Sequence, residues 1–322
     1  MKTLMLSALL YVLPMQAAPP LWGGLVPGAY QVGYERLGRA GGLVHVWYPA
    51  RAAGTRLTVR EYVRADSSRM LAFLASAKVS DPTAQLLLRQ SLYASASEKA
   101  LDGEFPLVLV AQGNGQDVFD QVVLCEYLAS YGFVVATTPS PMIRTPMTSD
   151  NQVGQMAAIQ ATQLSIAIHT VSTAHRIDVN RIGVVGHSFG ARGALLLAMN
   201  NSKIKAIVSL DGGIGTATAA ESFRKAPSFS AVTALPPLLH LYETLDDFMA
   251  PDFALLRSLH FQSVTLTPVE GMHHIHFTSY GSAAALFPDL AALTRATAAT
   301  RASVVKTHDQ TRDFLKKYLS PK

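Results

Sequence analysis

The sequence predicts an α/β fold built on a mostly parallel central sheet with helices on both faces. Two observations carry this reading. Apolar runs rich in Val, Ile and Leu recur without strict alternation, as in strands buried on both sides, and helix-length segments separate most of them. At 322 residues and 49% hydrophobic content, the chain has ample material for such a core.

Taken in order, the first segment, "MKTLMLSALLYVLPMQAAPP", has a cation at Lys2, an apolar run from Leu4 to Leu13 and small residues at Ala17 and Ala18. This is the order of a secretory signal over residues 1–18. The run is shorter than the ~20 residues of a membrane-spanning helix. The expectation is an exported protein, periplasmic or secreted, with no stable membrane anchor once the signal is removed. The remainder, 19–322, reads as a single domain without internal repeats or low-complexity linkers.

Strands are predicted over Leu43 to Pro49, Phe105 to Gln112, Phe133 to Thr138, Arg181 to His187, Ile204 to Asp211, Pro237 to Glu243 and Ser263 to Glu270. Helices are predicted over Phe119 to Ser130, Gln155 to His175 and Ala191 to Asn200. An insertion at Ser67 to Gly103 reads as helical and is placed over the sheet edge as a partial cap. The C-terminal segment has Phe314, Leu315 and Tyr318 at helical spacing and reads as an amphipathic closing helix.

Charge and cysteine content narrow the function. Lys and Arg total 27 against 22 Asp and Glu, a net +5 scattered along the chain. Without basic runs or interleaved aromatics, a nucleic-acid partner is not indicated. The single Cys125 excludes an intramolecular disulfide and a multi-cysteine zinc site, and reads as a packed helix residue.

The stretch "VNRIGVVGHSFGARGALLLAM" carries the chemistry. A strand that becomes a helix within about two residues forces its corner residue into a strained conformation, and residues two positions either side must be small. Gly186 and Gly190 meet that need around Ser188. The following helix aims free amides at the same point. This is a nucleophile elbow, and a serine hydroxyl used as a nucleophile needs a base oriented by an acid. Downstream, "EGMHHIHFTSYG" offers His273, His274 and His276 as bases. Asp211 at one strand end, or Asp246 and Asp247 after the next, supply candidate acids. Three histidines also raise a metal site, which no accompanying carboxylate or thiol cluster in the sequence supports. For an oxyanion hole, the amide of Phe189 follows the nucleophile, and "VLVAQGNGQD" supplies a glycine-rich loop whose Asn114 amide is the second candidate. His187, inside the elbow, reads as packing or bonding locally, and His240 and Tyr242 as core or sheet-edge residues.

These motifs give the chain a resemblance. It is similar to the α/β-hydrolases, and within them resembles the platelet-activating-factor acetylhydrolase-like group, neighbour to the dienelactone hydrolases. The similarity runs through "PGAYQVGYERL", "VHVWYPA", "FPLVLVAQGNGQ", "YGFVVATTPSP", "IDVNRIGVVGHSFGARGAL", "IKAIVSLDGG" and "HHIHFTSYG". It implies an α/β-hydrolase fold and a serine esterase with Ser188 as nucleophile, Asp211 as acid and His274 as base. The base is selected by an H-x-x-F pattern at His274 to Phe277. A small-molecule ester of short acyl chain is the implied substrate, and no cofactor or metal is called for. Two departures stand out. The stretch usually reading Ser-His-Gly is Ala111-Gln112-Gly113, and "LDDFMAP" resembles polyester hydrolases of the same superfamily, in which Asp247 would be the acid. The elbow also carries Ala191 and Arg192 where a second small residue is common.

Overall fold

The computed structural model describes residues 17–38, 42–63, 67–96, 98–141, 149–245 and 249–320. The expected leader therefore lies almost wholly outside the described residues, as do Asp246 and Asp247. Among the described residues no helix is long and apolar enough to cross a membrane.

Ten strands are described: β1 (Gln31–Leu37), β2 (Val44–Ala50), β3 (Arg56–Thr58), β4 (Ser91–Ala96), β5 (Phe105–Ala111), β6 (Val134–Thr138), β7 (Ile177–His187), β8 (Ile204–Leu210), β9 (Leu238–Tyr242) and β10 (Val264–Pro268). They form one sheet in the order β10-β9-β8-β7-β5-β6-β2-β1-β4-β3. From β6 through β5, β7, β8 and β9 to β10 every pairing is parallel, and β2 joins antiparallel to β6. The predicted parallel sheet is present, with helices on both faces.

Alternate residues of the central strands feed two cores. From β5, Val108 and Val110 point to a core shared with the helices Val122–Ser130 and Ala298–Leu319. Leu107, Leu109 and Ala111 point to the other, shared with the helices Asp150–Ala174 and Gly190–Asn200. Such strands read as continuous apolar runs because both faces are covered. Cys125 is buried in the first of these helices, and burial pushes its thiol up.

The chain reverses its direction of sheet growth at β5, laying β6 on one side and β7 on the other. Loops leaving β5 and β7 therefore open a crevice at the strands' C-terminal ends, where ligands bind in sheets of this kind.

The insertion departs from an all-helical reading. It forms the helices Ser67–Ser76 and Asp81–Leu88, then strand β4. β4 makes only a short parallel pairing with β1, and two of its amides, Tyr93 and Ala94, donate instead to the Glu126 carboxylate at 2.8 and 2.9 Å. Glu126 is fully buried and also accepts from Trp22 Nε1 at 3.0 Å and the Tyr62 hydroxyl at 2.7 Å. One carboxylate thus joins the N-terminal segment, the insertion and the helix Val122–Ser130.

Candidate active site

Ser188 sits at the corner between β7 and the helix Gly190–Asn200 with φ 53°, a left-handed conformation costly for a serine. The neighbours that tolerate it are the two glycines. A Cβ on Gly186 would lie 2.5 Å from the Ala191 Cα, and one on Gly190 would lie 2.1 Å from the Ala111 carbonyl oxygen. Phe189 caps the helix without a side-chain hydrogen bond, and the first turn closes with Ala191 N donating to the Ser188 carbonyl at 3.3 Å and Arg192 N to the Phe189 carbonyl at 2.9 Å, which places the Phe189 amide beside the nucleophile.

The corner is tied to the next strand. Ser188 N donates to the Leu210 carbonyl at 3.1 Å, and Gly213 N donates to the Ser188 carbonyl at 2.9 Å. Between them Asp211 has φ 43°, with its N–H donating to the Leu241 carbonyl at 2.7 Å. This second strained residue turns a 2%-exposed carboxylate toward the imidazole of His274.

Ser188 Oγ lies 2.9 Å from His274 Nε2, and His274 Nδ1 lies 2.5 Å from Asp211 Oδ2. The other carboxylate oxygen, Oδ1, accepts from Glu243 N at 3.0 Å. With the proton on Nδ1 donated to the carboxylate, Nε2 is left to receive the serine proton. A hydroxyl, an imidazole and a carboxylate in series can pass a proton from Ser188 while Asp211 holds the ring.

The three histidines of "HHIH" separate in space. They enter a 3-10 turn, His274–Phe277. His273 meets Arg295 Nη2 at 3.1 Å and buried His276 spends Nδ1 on the His273 amide at 2.9 Å, while His274 meets Ser188. Among the described residues no group of three or more His, Cys, Asp or Glu side chains is disposed to hold a metal ion.

The β5 loop is fixed from below. Gln112 donates from Nε2 to Thr137 Oγ1 at 3.1 Å, and its carbonyl accepts from Gln160 Nε2 at 2.8 Å. Gly113 N is occupied by Gln116 Oε1 at 2.5 Å, while Asn114 is exposed. Phe189 is buried in the second core.

Two further histidines, expected from the sequence to pack or bond locally, lie near the candidate catalytic series. His187 is 1% exposed, its ring stacks on that of His274 at 4.8 Å, and burial holds it well below the usual histidine range. Neutral His187 has one N–H. Gln116 Oε1 lies 3.1 Å from Nδ1, and because that oxygen already accepts from Gly113, Gln116 cannot be turned to donate. Nδ1 therefore carries the proton, and Nε2 at 3.4 Å from the His274 carbonyl is a contact without a hydrogen bond. On β9, buried His240 pairs with Ser209 Oγ at 2.8 Å beneath Asp211.

A pocket of about 180 Å3 opens beside the loop after β5, lined by Asn114 and Gln116, by Ile275 and Tyr280, and by Met70 and Phe73 from the insertion's first helix. The insertion thus walls one side of this pocket, which adjoins the site through Asn114 and Ile275. Phe73 and Tyr280 rings meet at 4.9 Å.

Comparison with known proteins adds a direction. A model of the PET hydrolase-like family matches residues 110–226, a span that holds Asn114, Ser188 and Asp211 and stops before the histidines. The chain is 38% identical over 87 residues to cutinase 1 of Thermobifida cellulosilytica and to a cutinase of Thermobifida fusca (strain YX). Those matches cover 27% of this chain and 32% and 28% of the two cutinases, so it corresponds to about a third of their length. The solved structure of a ferulic acid esterase from Streptomyces cinnamoneus superposes with a TM-score of 0.66 at 19% identity, covering 89% of each chain. The likeness is one of fold, over most of the chain.

Proposed function

On the α/β-hydrolase fold that this chain adopts, we propose a serine-dependent carboxylic ester hydrolase acting through a covalent acyl-enzyme. The observation that carries the reading is the unbroken series from Ser188 Oγ through His274 to Asp211, at 2.9 and 2.5 Å. Ser188 Oγ attacks the ester carbonyl as its proton passes to His274 Nε2. The amides of Phe189 and Asn114 receive the developing oxyanion. The protonated imidazole then gives its proton to the departing alkoxide, and a water activated by the same ring hydrolyses the acyl-serine. Asp211 keeps the tautomer and stabilises the imidazolium. The chemistry is complete without a cofactor or metal.

The substrate is a short-chain acyl ester. A pocket of about 180 Å3 beside Asn114 and Ile275 accommodates a small group and favours this choice. A second reading, a polyester hydrolase, is favoured by the PET hydrolase-like match over residues 110–226. A p-nitrophenyl ester series together with polyester film decides between them, since release from film with a maximum rate at long acyl chains would sink the short-chain preference. The charged, apolar and small-residue order of residues 1–18 supports export to the periplasm or medium.

Fluorophosphonate labelling tests the mechanism directly. The parent should label on one serine, and Ser188→Ala should neither label nor turn over ester while keeping its melting temperature. Absence of labelling on folded parent protein would favour a binding protein on the same scaffold.

A further inference from the structure

The geometry points to Arg192 as the receptor for a carboxylate on the substrate, so that esters carrying a nearby anionic group are preferred. This rests on the ester-hydrolase reading and names a feature of its substrate. Arg192 lies in the first turn of the helix Gly190–Asn200, three residues after Phe189 and on the same helical face. Its guanidinium carbon is 5.9 Å from the centre of the Phe189 ring, and Phe189 carries an amide assigned to the oxyanion.

Room for the guanidinium comes from Gly213, where a Cβ would lie 2.1 Å from Arg192 Nη1. The cation therefore rests against the backbone whose N–H holds the Ser188 carbonyl. Its charge is not answered there. Among the described residues Arg192 forms no ion pair, and its Nε is buried without an acceptor. The carboxylate that acts on it electrostatically, Asp150, is held by Lys225 Nζ at 3.3 Å. Burial lowers the guanidinium to about 10, which leaves it charged at neutral pH.

Removing a cation from water without a partner is costly. A planar fork with free donors matches a carboxylate in two parallel hydrogen bonds. The residue is only partly buried, and Nε is the one guanidinium nitrogen both buried and unanswered, so the terminal nitrogens keep an accessible edge. A single fixed charge suits a monoanion better than a phosphate dianion.

The test uses Ser188→Ala protein, which leaves an ester intact, titrated calorimetrically with monomethyl glutarate and with neutral dimethyl glutarate. The half-ester should bind at least tenfold more tightly than the diester, about 1.4 kcal/mol. Adding Arg192→Met should abolish that ratio, and Arg192→Lys, which keeps the charge without the fork, should retain part of it. Equal affinity for the two ligands, or a ratio that neither substitution moves, overturns the proposal. Should the methionine variant misfold, the lysine variant alone decides by the same ratio. Because binding is read without turnover, failure of the ester-hydrolase reading would appear separately, as a parent inert toward every ester.

Discussion

Removing the imidazole separates the three neighbouring histidines by role. His274→Ala should lose nearly all turnover with its fold intact, because Ser188 would lose the imidazole that accepts its proton. His273→Ala should stay within a few-fold of the parent, since its ring meets Arg295. His276→Ala should instead lower the melting temperature, because it strips a buried acceptor from the His273 amide. An inactive, folded His273→Ala beside an active His274→Ala would reverse the assignment. For the acid, Asp211→Asn should fall on the order of 10⁴ in turnover through the wrong tautomer. Asp247→Asn should remain within roughly tenfold, ~1.4 kcal/mol, and the opposite pattern would move the acid to the later segment. At this scale Ser188 was legible in the sequence, because a strained corner demands small residues at Gly186 and Gly190. The choice among histidines needed the resemblance, since ring directions within a single turn leave no mark on composition. His187 and Gln116 were not legible as neighbours of the base, because their contact spans 71 positions and depends on the end of β7 meeting the loop after β5.

The elements most clearly announced were the central strands and their covering helices, where burial on both faces leaves uninterrupted apolar runs. The register moved little, although β7 begins at Ile177 and the predicted strand began at Arg181. Strands β1, β3 and β4 passed unpredicted because they are short or mixed in polarity and lie at the far side of the sheet. β4 owes its place partly to a carboxylate rather than to a full ladder. Glu126→Ala should leave four donors unanswered, two of them backbone amides, at roughly 1 kcal/mol or more for each. A fall of about 4 kcal/mol in unfolding free energy, read from urea melts, is expected, with Glu126→Gln intermediate because one acceptor oxygen remains. Two variants as stable as the parent would show that Glu126 does not hold the insertion and N-terminal segment in place.

Over the whole molecule, buried ionisable groups set an acid and an alkaline limit to stability. Burial lowers His45 and His240 to about 4, and His187 and His308 are lowered as well. Between about pH 4 and 6.5 the unfolded chain binds protons that these rings refuse, so stability rises with pH, by about 3 kcal/mol each for His45 and His240 at full effect. Asp120 runs the other way. Burial, with Asp117 alongside, raises it to about 8, so the native state holds a proton that the unfolded chain has lost, and stability declines as pH climbs toward 8. The melting temperature should peak near pH ~6.5, and a continuous rise to pH 9 would contradict this account. The backbone bonds around Ser188 have a consequence of their own. Nucleophile and acid belong to one block, stitched across β7, β8 and β9 by Ser188 N, Gly213 N, Asp211 N and Glu243 N. His274 instead follows β10, the partly exposed outer strand. Gentle heating or low urea should therefore detach the base while the other two partners stay in register, giving a reversible loss of activity whose midpoint precedes the collapse of the circular dichroism signal.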